Sequence, residues 1–380
     1  MIRVLQLLTT TAPGGGPRQV LHLARHLPAS EFSVSVGGPW DPRFADDLKA
    51  SGIDFTSIAI QSLRALPLTL ARVTRLVRDS GADVVHTHGK GAGFYGRLAA
   101  RRAGVPSVHT FHGIHYERYS PTARRLYLQL ERWLAASTHT VINVSQTQDE
   151  EALRLGLARR DGSIVIVNGI DVDELAARPQ TRKSSLGLDE DERVLGCVAR
   201  FDPIKRHDLL VAAFAQVARA HPKVALLLVG DGPEKARIER LVDRSESRVL
   251  FADAARGWQT NLYTSCDLYV TASAKEGLPL APLEAMASEL AVVATDVPGH
   301  RDVVSDETGL LVPPTSGDAT DAVALAEAIG MLLADPARAA RMGRAGRERV
   351  RREFTLQSMI ARTATVYRTA AASRREHRRA

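Results

Sequence analysis

Short apolar runs rich in β-branched residues alternate with longer amphipathic stretches along most of the chain. In the first half, seven such runs predict strands: Ile2–Leu8, Phe32–Gly37, Asp54–Ile60, Asp83–His86, Ser107–Phe111, Thr140–Val144 and Ser163–Val167. Helical periodicity fills the gaps, as in Val20–Leu27 and Leu126–Leu134. Because strands and helices alternate at this spacing, we expect parallel sheets with helices on both faces.

The alternation breaks over residues 172–192, where a polar stretch containing Pro179 is typical of a linker or domain edge. It then restarts, and the second half predicts the strands Arg193–Ala199, Lys223–Gly230, Val249–Phe251, Leu268–Ala272, Ala291–Thr295 and Gly309–Val312. A chain of 380 residues exceeds what one core normally supports. We therefore predict two α/β domains, residues 1–172 and 190–355, followed by a helical end in which Arg374–Arg379 is frayed and solvated.

Composition excludes several classes of protein. The apolar content of 44% is ordinary for a soluble globular chain, and no apolar run approaches the length of a membrane span. Ile2–Leu8 is too short for a signal-peptide core and is better interpreted as a first strand. Cys197 and Cys266 lie in apolar segments without metal-ligand spacing, so the cysteine usage predicts a reducing, cytoplasmic environment.

The net charge of +7 raises the question of nucleic-acid binding. Acidic residues are interleaved with the arginines, as in Arg347-Glu348-Arg349, and no basic stripe with interspersed aromatic residues is present. A nucleic-acid partner is therefore disfavoured. Nucleoside diphosphates and acidic membrane surfaces remain open as anionic partners.

Two carboxylates follow the predicted strand that ends near Ala272. Glu276 precedes the turn Gly277–Pro279, and Glu284 lies about one turn into the following helix. Ligands of parallel sheets bind beyond the carboxyl ends of strands, and helix starts accept anions. Charge-assisted hydrogen bonds from sugar hydroxyls would contribute about 1.5–3 kcal/mol each. The alternative is structural, with Glu276 capping the helix and Glu284 solvated on its surface.

A basic pair follows the first strand of the second half. Arg200 would leave the sheet at its carboxyl edge, and Lys205 would lie near the next helix start. Two cations beside a helix N-terminus suit a diphosphate, which arginine can bind through two parallel hydrogen bonds. The alternative is an ordinary basic loop.

Glycines and histidines mark strand ends of the first half. Gly14, Gly15 and Gly16 allow close backbone approach to a ligand, and Pro17 suits the first helical position, although the dinucleotide fingerprint is absent. His86, His88 and His112 are each explained by a buried structural histidine, and no partner with ligand spacing predicts a metal site. His112 is the candidate for function because it lies at a strand end directly before a glycine.

Taken together, these motifs resemble the GT-B fold retaining glycosyltransferases of family 4, also called glycosyl transferases group 1. Glu276 and Glu284 are similar to that family's E-x7-E signature, and Arg200 with Lys205 to its diphosphate-binding pair. Further matching segments are Gly14-Gly15, Asp83–His88, Thr110–Gly113, Val144-Ser145 and Val167–Asp171. The resemblance implies two Rossmann-like doubly wound domains that face each other across a cleft, with the final helix, 356–380, crossing back onto the first domain.

The resemblance also implies roles in donor binding. Arg200 and Lys205 would neutralise the diphosphate, Glu284 would bind the ribose, and Glu276 would bind hydroxyls of the transferred sugar. His112 would contact the sugar near the reacting carbon. The remaining donor contacts would come from the glycine loop and from the backbone before the signature helix: Gly14, Gly15, Gly277, Leu278, Pro279 and Leu280.

The implied reaction retains anomeric configuration without an enzyme nucleophile, a metal or another cofactor. The donor would be a nucleoside-diphosphate sugar, with UDP favoured and GDP next. The acceptor would be a lipid-linked or cell-envelope glycan, and peripheral contact with the inner membrane face is left open. Acceptor contacts would come from the loops Pro39–Arg43, Ser62–Leu68 and Tyr116–Pro121. Leu63–Arg72 could touch lipid, but an amphipathic helix packed on the sheet is favoured.

This sequence departs from the family pattern at several positions. Glu289 and Ala291 stand where a glycine and a proline are usual, and loss of a left-handed glycine cap could cost about 1 kcal/mol. Asp302 replaces a glutamate, Pro17 replaces another, and Asp253 lies in a loop that usually carries glycine near the base. Two other functions stay open: a nucleotide-sugar epimerase on the same fold, and a catalytically silent binding protein.

Overall fold

The computed structural model describes residues 1–60, 66–116, 119–242, 248–253, 260–315 and 317–379. The chain forms two compact units. Unit 1 comprises Met1–Asn168 and Leu356–Ala380, and unit 2 comprises Gly169–Thr355. Within the described residues, no helix combines the length and the apolar character needed to cross a membrane.

Unit 1 is a parallel α/β sheet covered by helices. Its strands are β1 (Ile2–Leu8), β2 (Phe32–Gly38), β3 (Asp54–Ser57), β4 (Val84–His88), β5 (Ser107–Phe111), β6 (Thr140–Asn143) and β7 (Ser163–Val165). Its helices are α1 (Gly15–His26), α2 (Pro42–Ala50), α3 (Leu66–Asp79), α4 (Lys90–Ala103), α5 (Pro121–Ala135), α6 (Gln146–Leu155) and the last helix of the chain, α14 (Leu356–Arg379).

The strand order of unit 1 is β3-β2-β1-β4-β5-β6-β7, and every described pair is parallel. The order reverses between β1 and β4, which are hydrogen-bonded neighbours with Leu8 opposite His88. Ligands of doubly wound sheets bind beyond the carboxyl ends of the strands at such a reversal. The loop after β1 and the residues that end β4 and β5 therefore lie at the expected binding edge.

Local sequence explains several helix ends in unit 1. Asp41 and Ser120 cap α2 and α5 by accepting hydrogen bonds from backbone N–H groups, and in each helix a proline occupies the first turn. Gly104 and Gly156 end α4 and α6 in the left-handed conformation that glycine adopts without strain.

Helix α14 belongs to unit 1 although it comes last in the chain. Its apolar face, including Leu356, Met359, Ile360 and Tyr367, packs in one core with Val4 and other strand residues. Arg374 near its end donates hydrogen bonds to Ala82 and Asp83. The expectation that Arg374–Arg379 is frayed is therefore wrong, because the helix continues to Arg379 and Arg374 is anchored.

Unit 2 repeats the parallel α/β architecture. Its strands are β8 (Arg193–Val198), β9 (Val224–Val229), β10 (Arg248–Ala252), β11 (Leu268–Thr271), β12 (Ala291–Thr295) and β13 (Gly309–Val312). Its helices are α7 (Val172–Ala177), α8 (His207–Ala220), α9 (Lys235–Leu241), α10 (Leu280–Ala287), α11 (His300–Val303), α12 (Asp318–Ala334) and α13 (Pro336–Glu353).

The strand order of unit 2 is β10-β9-β8-β11-β12-β13, again parallel, with the reversal between β8 and β11. Its core lies between the sheet and helices α8 and α12 and includes Leu226, Leu228, Phe214 and Leu325. The near-continuous apolar strand β9 is buried at every position, as expected for a central parallel strand covered on both faces.

Every strand predicted from the sequence is present, and the fold class is confirmed as two parallel-sheet α/β units. The main difference concerns the polar stretch over residues 172–192, for which the sequence predicts a linker or a domain edge. It contains the helix α7 and a short 3₁₀ turn at Lys183–Leu186, because Asp171 caps α7 by accepting from the backbone N–H groups of Asp173 and Glu174.

Candidate active site

The first cation of unit 2 lies where strand β8 ends. Arg200 follows β8 and is half exposed, and its Nε donates a hydrogen bond of 2.6 Å to Oδ2 of Asp202. Asp202 in turn begins the 3₁₀ turn Pro203–Lys205 that carries the second cation. The guanidinium is thus held at the sheet edge by an exposed ion pair, which is weak enough to be exchanged for an anionic ligand.

Lys205 and Glu276 form the centre of this edge. The Nζ atom of Lys205 lies 2.5 Å from Oε1 of Glu276, and both side chains are largely buried. Burial is the largest single influence and acts to raise the pKa of Glu276, but the charges of Lys205 and His300 and the hydrogen bonds from Lys205 and Ser273 together outweigh it, so the net pKa lies below the usual glutamate value. The two residues come from the ends of β8 and β11, the strands that flank the reversal.

The structural alternative for Glu276 was that it caps the following helix, and this is wrong. Helix α10 begins at Leu280, and its N-cap residue Pro279 supplies no side-chain hydrogen bond. The backbone of the preceding turn is instead packed closely: Gly299 has φ +80°, and a Cβ there would lie 2.9 Å from Cβ of Glu276 and 2.7 Å from the carbonyl oxygen of Gly277. A glycine is required at this approach.

Glu284 is buried, so the structural alternative, a solvated helical residue, is wrong. It lies in the second turn of α10, and its Oε2 accepts a hydrogen bond of 2.8 Å from the hydroxyl of Tyr263. A carboxylate held by a tyrosine at a sheet edge can accept further hydrogen bonds from vicinal hydroxyls. Tyr263 was missed from the sequence because it lies in a short 3₁₀ turn, Leu262–Ser265, without motif spacing.

His300 was also missed. It begins α11 after β12, its Nδ1 lies 2.8 Å from the carbonyl oxygen of Thr295, and it is fully buried near Glu276. Burial lowers its pKa, and the carboxylate of Glu276 opposes that shift. The signal available in the sequence was the pair Pro298-Gly299 at a strand end, which marks a turn but not a ligand site.

At the carboxyl edge of unit 1, the glycine loop meets His112. Helix α1 begins at Gly15, with Gly14 as its N-cap, so Pro17 occupies the third helical position and not the predicted first. A Cβ on Gly16 would lie 3.3 Å from Cδ2 of His112. The glycine therefore permits the helix start to pack against the imidazole ring.

His112 follows β5 and is half-buried, and burial lowers its pKa to about 4. Its Nε2 lies 3.0 Å from Nδ1 of His88, the last residue of β4, and the two rings are stacked. His86 and His88 are buried and fully hydrogen-bonded, as the structural interpretation of histidines predicted.

The departures from the family pattern have local solutions. Glu289 follows α10 with φ +62°, so the left-handed cap is kept without glycine, and Glu289 pairs with Arg347. Asp302 accepts a hydrogen bond from the backbone N–H of Gly299. Asp253 follows β10, while Ala254 and Ala255 lie outside the described residues, as do Ser62–Ala65 and Glu117-Arg118 of the predicted acceptor loops.

Two family models match this chain in succession. Residues 14–169 match the glycosyl transferase 4-like domain, and residues 179–349 match glycosyl transferases group 1. The alpha-maltose-1-phosphate synthase of Mycolicibacterium smegmatis is 32% identical over 330 residues, which cover 81% of this chain and 84% of that protein. The chain belongs to the group 1 glycosyltransferases.

This glycosyltransferase is also similar to a second enzyme in sequence and to a solved structure in fold. The Escherichia coli UDP-Gal:alpha-D-GlcNAc-diphosphoundecaprenol alpha-1,3-galactosyltransferase is 27% identical over 297 residues, 74% of this chain and 76% of that protein. The structure of Anabaena HepE in complex with UDP-glucose superimposes with a TM-score of 0.81 at 24% identity, covering 97% of this chain and 100% of that one. The second likeness shows the GT-B fold.

Within the described residues of the glycosyltransferase, no group of three or more histidine, cysteine, aspartate or glutamate side chains is arranged to hold a metal ion. The structure brings Arg200, Lys205, Glu276 and Glu284 to one edge of unit 2, and Gly14, Gly15 and His112 to one edge of unit 1.

Proposed function

We propose that this glycosyltransferase moves a sugar from a nucleoside-diphosphate sugar, with UDP favoured and GDP next, to a hydroxyl group of a lipid-linked or cell-envelope glycan. The observation that carries the proposal is the carboxyl edge of unit 2, where two cations and two carboxylates lie together at the strand reversal. A diphosphate needs the cations, and ribose and sugar hydroxyls need the carboxylates. The names of the galactosyltransferase relative and of the HepE complex support a UDP-linked donor.

In this mechanism the diphosphate is the leaving group. Arg200 and Lys205 would stabilise the negative charge that grows on it, which is the kind of preorganised electrostatic effect that lowers barriers most. On binding, the diphosphate would either replace Glu276 as the partner of Lys205 or be bound by Lys205 together with Glu276. Glu276 would then accept hydrogen bonds from the sugar, and Glu284 from the ribose.

We propose retention of anomeric configuration, with the departing phosphate accepting the acceptor's proton on the same face of the sugar. Neither carboxylate is then a nucleophile. Glu276 accepts a hydrogen bond from Lys205, and Glu284 accepts one from Tyr263, so both carboxylates are arranged as hydrogen-bond acceptors. The product's anomeric configuration, measured by NMR against the donor's, tests this step, and an inverted product would contradict it. Full activity after chelation is expected, because no metal is assigned a role.

Donor identity is tested by thermal unfolding against UDP-, GDP-, ADP-, TDP- and CMP-sugars and the free nucleotides. A donor at 100 times its dissociation constant stabilises the fold by about 2.7 kcal/mol. The shift should appear with one nucleotide and be largely lost in Glu284→Ala. Lys223→Met is the matched control, because Lys223 pairs with Asp191 at the amino end of β9. A shift without turnover on any acceptor would favour the silent binding protein, and sugar isomerisation without acceptor would favour the epimerase. No shift with any nucleotide would contradict the proposed donor site.

A peripheral membrane contact is proposed for the face of α5 that carries Leu126 and Trp133, which are 67% and 47% exposed. They are seven residues apart and so share one side of the helix, and the guanidinium of Arg101 lies against the Trp133 ring. Apolar side chains beside arginine suit an anionic lipid surface. Sedimentation with anionic vesicles should fall in the double variant Leu126→Ser, Trp133→Ser, and equal binding to zwitterionic vesicles would oppose the proposal.

The predicted lipid contact of Leu63–Arg72 has a different outcome. Residues 63–65 lie outside the described residues. From Leu66 onwards the segment is helix α3, whose Leu70, Val73 and Val77 pack in the core of unit 1. The favoured interpretation, an amphipathic helix packed on the sheet, is therefore confirmed for that part.

A further inference from the structure

A chain of side-chain hydrogen bonds runs through unit 1 from His112 to helix α14. The Nε2 of His112 lies 3.0 Å from Nδ1 of His88, and the Nε2 of His88 lies 2.7 Å from Oε1 of Gln6. The amide nitrogen of Gln6 donates to the hydroxyl of Tyr367 over 3.1 Å. Thus a residue of the last helix is connected through two others to the candidate sugar-binding histidine.

The chain continues beyond Tyr367. Its hydroxyl lies 2.6 Å from Nδ1 of His86, whose Nε2 lies 2.7 Å from the hydroxyl of Thr110. Gln6, His86, Thr110 and Tyr367 are fully buried, and only His112, at the end of the chain, is half-buried. Buried polar groups of this kind need every hydrogen bond satisfied.

The three histidines are neutral near pH 7. Burial lowers the pKa of His112 to about 4 and that of His86 to about 3, and it lowers the pKa of His88 well below its usual value. A neutral imidazole has one N–H donor and one nitrogen lone pair. Consequently each histidine must donate on one side and accept on the other, and the whole chain has a single direction.

Gln6 sets that direction. Its carbonyl oxygen faces His88 and can only accept, so the proton of His88 is on Nε2 and its Nδ1 accepts. The proton of His112 is then on Nε2, which donates to His88. On the other side, the Gln6 amide donates to Tyr367, Tyr367 donates to His86, and Nε2 of His86 donates to Thr110. All three histidines therefore share the Nε2–H tautomer.

We propose that Gln6 and Tyr367 are positioning residues that hold His112 as the Nε2–H tautomer, so that its Nδ1 lone pair accepts a hydrogen bond from a hydroxyl group of the bound sugar. The sugar contact rests on the proposed function, whereas the tautomer does not. Helix α14 then has a chemical role in addition to packing, because it supplies the hydroxyl at the centre of the chain.

The tautomer is measured by long-range ¹H–¹⁵N correlation NMR on the full chain labelled with ¹⁵N-histidine at pH 7.5. Single His→Asn variants assign the signals. In the wild type, His86, His88 and His112 should all give the pattern of the Nε2–H form. A wild-type His112 in the Nδ1–H form would overturn the proposal without reference to any substrate.

Two variants test the role of the positioning residues. Tyr367→Phe removes only the hydroxyl, and Gln6→Met removes both amide contacts with similar length. In either variant His112 should become a mixture of the two tautomers, and donor turnover should fall roughly tenfold, by analogy with the loss of groups that orient metal-binding histidines. Tyr95→Phe is the control, because Tyr95 is an equally buried tyrosine of unit 1 outside the chain, and it should leave all three tautomers unchanged.

The outcomes separate the two proposals. Unchanged His112 tautomer in both folded variants would overturn the positioning role. A mixed tautomer with unchanged turnover of the identified donor would keep the direction of the chain but overturn its role in sugar binding. If no nucleotide sugar binds at all, the proposed function fails, while the NMR result still decides the tautomer.

Discussion

The carboxyl edges of the two units differ in their electrostatics: the edge of unit 2 is charged and the edge of unit 1 is neutral. In unit 2 the edge carries formal charges, with Arg200 paired to Asp202 and Lys205 paired to Glu276. In unit 1 the corresponding edge carries buried histidines that are neutral and linked by hydrogen bonds. Both edges lie at a reversal of strand order in a parallel sheet, so the scaffold does not dictate the difference.

This difference in charge determines how each edge can respond to a bound ligand. The half-exposed Arg200 is held only weakly by Asp202, so it can exchange that partner for a diphosphate at little cost. The pair of Lys205 with Glu276 is largely buried, so a diphosphate has to compete with Glu276 for Lys205. The network of unit 1 cannot rearrange one bond without affecting the others, because each neutral imidazole donates once and accepts once. Unit 2 is thus suited to bind charge, and unit 1 to present one oriented acceptor.

The largest expected effect is acid destabilisation through the neutral histidines. In the unfolded chain a histidine gains its proton near pH 6.5, whereas burial lowers the pKa of His112 to about 4 and of His86 to about 3 in the folded protein. The unfolded state then binds more protons, so stability is present above pH 6.5 and is lost as pH falls below it. Between pH 7 and pH 5, each such histidine should lower the free energy of unfolding by about 2 kcal/mol, as measured by urea unfolding.

The same prediction distinguishes the units. Among the described residues, five histidines of unit 1 have a lowered pKa, the buried His86, His88 and His109 and the half-buried His112 and His139, whereas unit 2 contains two, His207 and His300. Hydrogen exchange should therefore show loss of protection in unit 1 first on acidification. The variant His112→Asn should flatten the pH dependence of stability by about one proton. An unchanged slope would mean that His112 is not neutral in the fold.

The next largest effect concerns a buried ion pair of unit 1. This pair is charged, unlike the neutral histidines at the carboxyl edge of the same unit. Arg97 and Glu131 lie 2.5 Å apart with almost no exposure. Burial lowers the pKa of the nearby His109, and the charge of Arg97 lowers it further. Glu131→Gln leaves the guanidinium unpaired and should destabilise the fold by about 3–5 kcal/mol in urea unfolding. The double variant Arg97→Met, Glu131→Leu should cost less, and an equal cost would deny that the unpaired charge is the cause.

A catalytic test of the charged edge comes third. Lys205→Met should lower kcat/KM roughly 10²–10³-fold, the usual loss when one group that stabilises developing charge is removed. Lys205→Arg should retain part of the activity. Lys223→Met, at the opposite end of the sheet, should keep wild-type kinetics. If Lys205→Met turned over normally, unit 2 would not act on the leaving group.

The sequence predicted the fold class and all thirteen strands, because buried parallel strands are continuous apolar runs that few other structures produce. It also predicted which residues stand at strand ends. It could not predict the partners of those residues. The pairing of Glu284 with Tyr263 joins a helix to a 3₁₀ turn, and nothing in the spacing of the two residues indicates that they meet.

Long-range contacts were the other omission. Tyr367 and Gln6 are separated by 361 residues, and each is unremarkable in its own segment. A tyrosine at a helical apolar position predicts packing, and a glutamine in an apolar strand predicts a buried polar group. Only the placement of α14 on the sheet of unit 1 brings them together, so a hydrogen-bond network of this kind can be found only in the folded structure.

The smallest effect concerns a departure that the sequence did identify. Glu289 adopts φ +62° at the end of α10, where a side chain is strained, and its carboxylate pairs with Arg347. Its carbonyl oxygen also lies where a Cβ on Gly343 of α13 would clash, which fixes the turn. Glu289→Gly should relieve up to about 1 kcal/mol of backbone strain and lose up to about 0.5 kcal/mol from the exposed ion pair. The free energy of unfolding, measured in urea, should therefore increase slightly. Glu289→Gln loses only the pair and should be slightly destabilising. If both variants were equally destabilised, the ion pair and not the backbone would dominate, and this charged contact would be a structural requirement of unit 2.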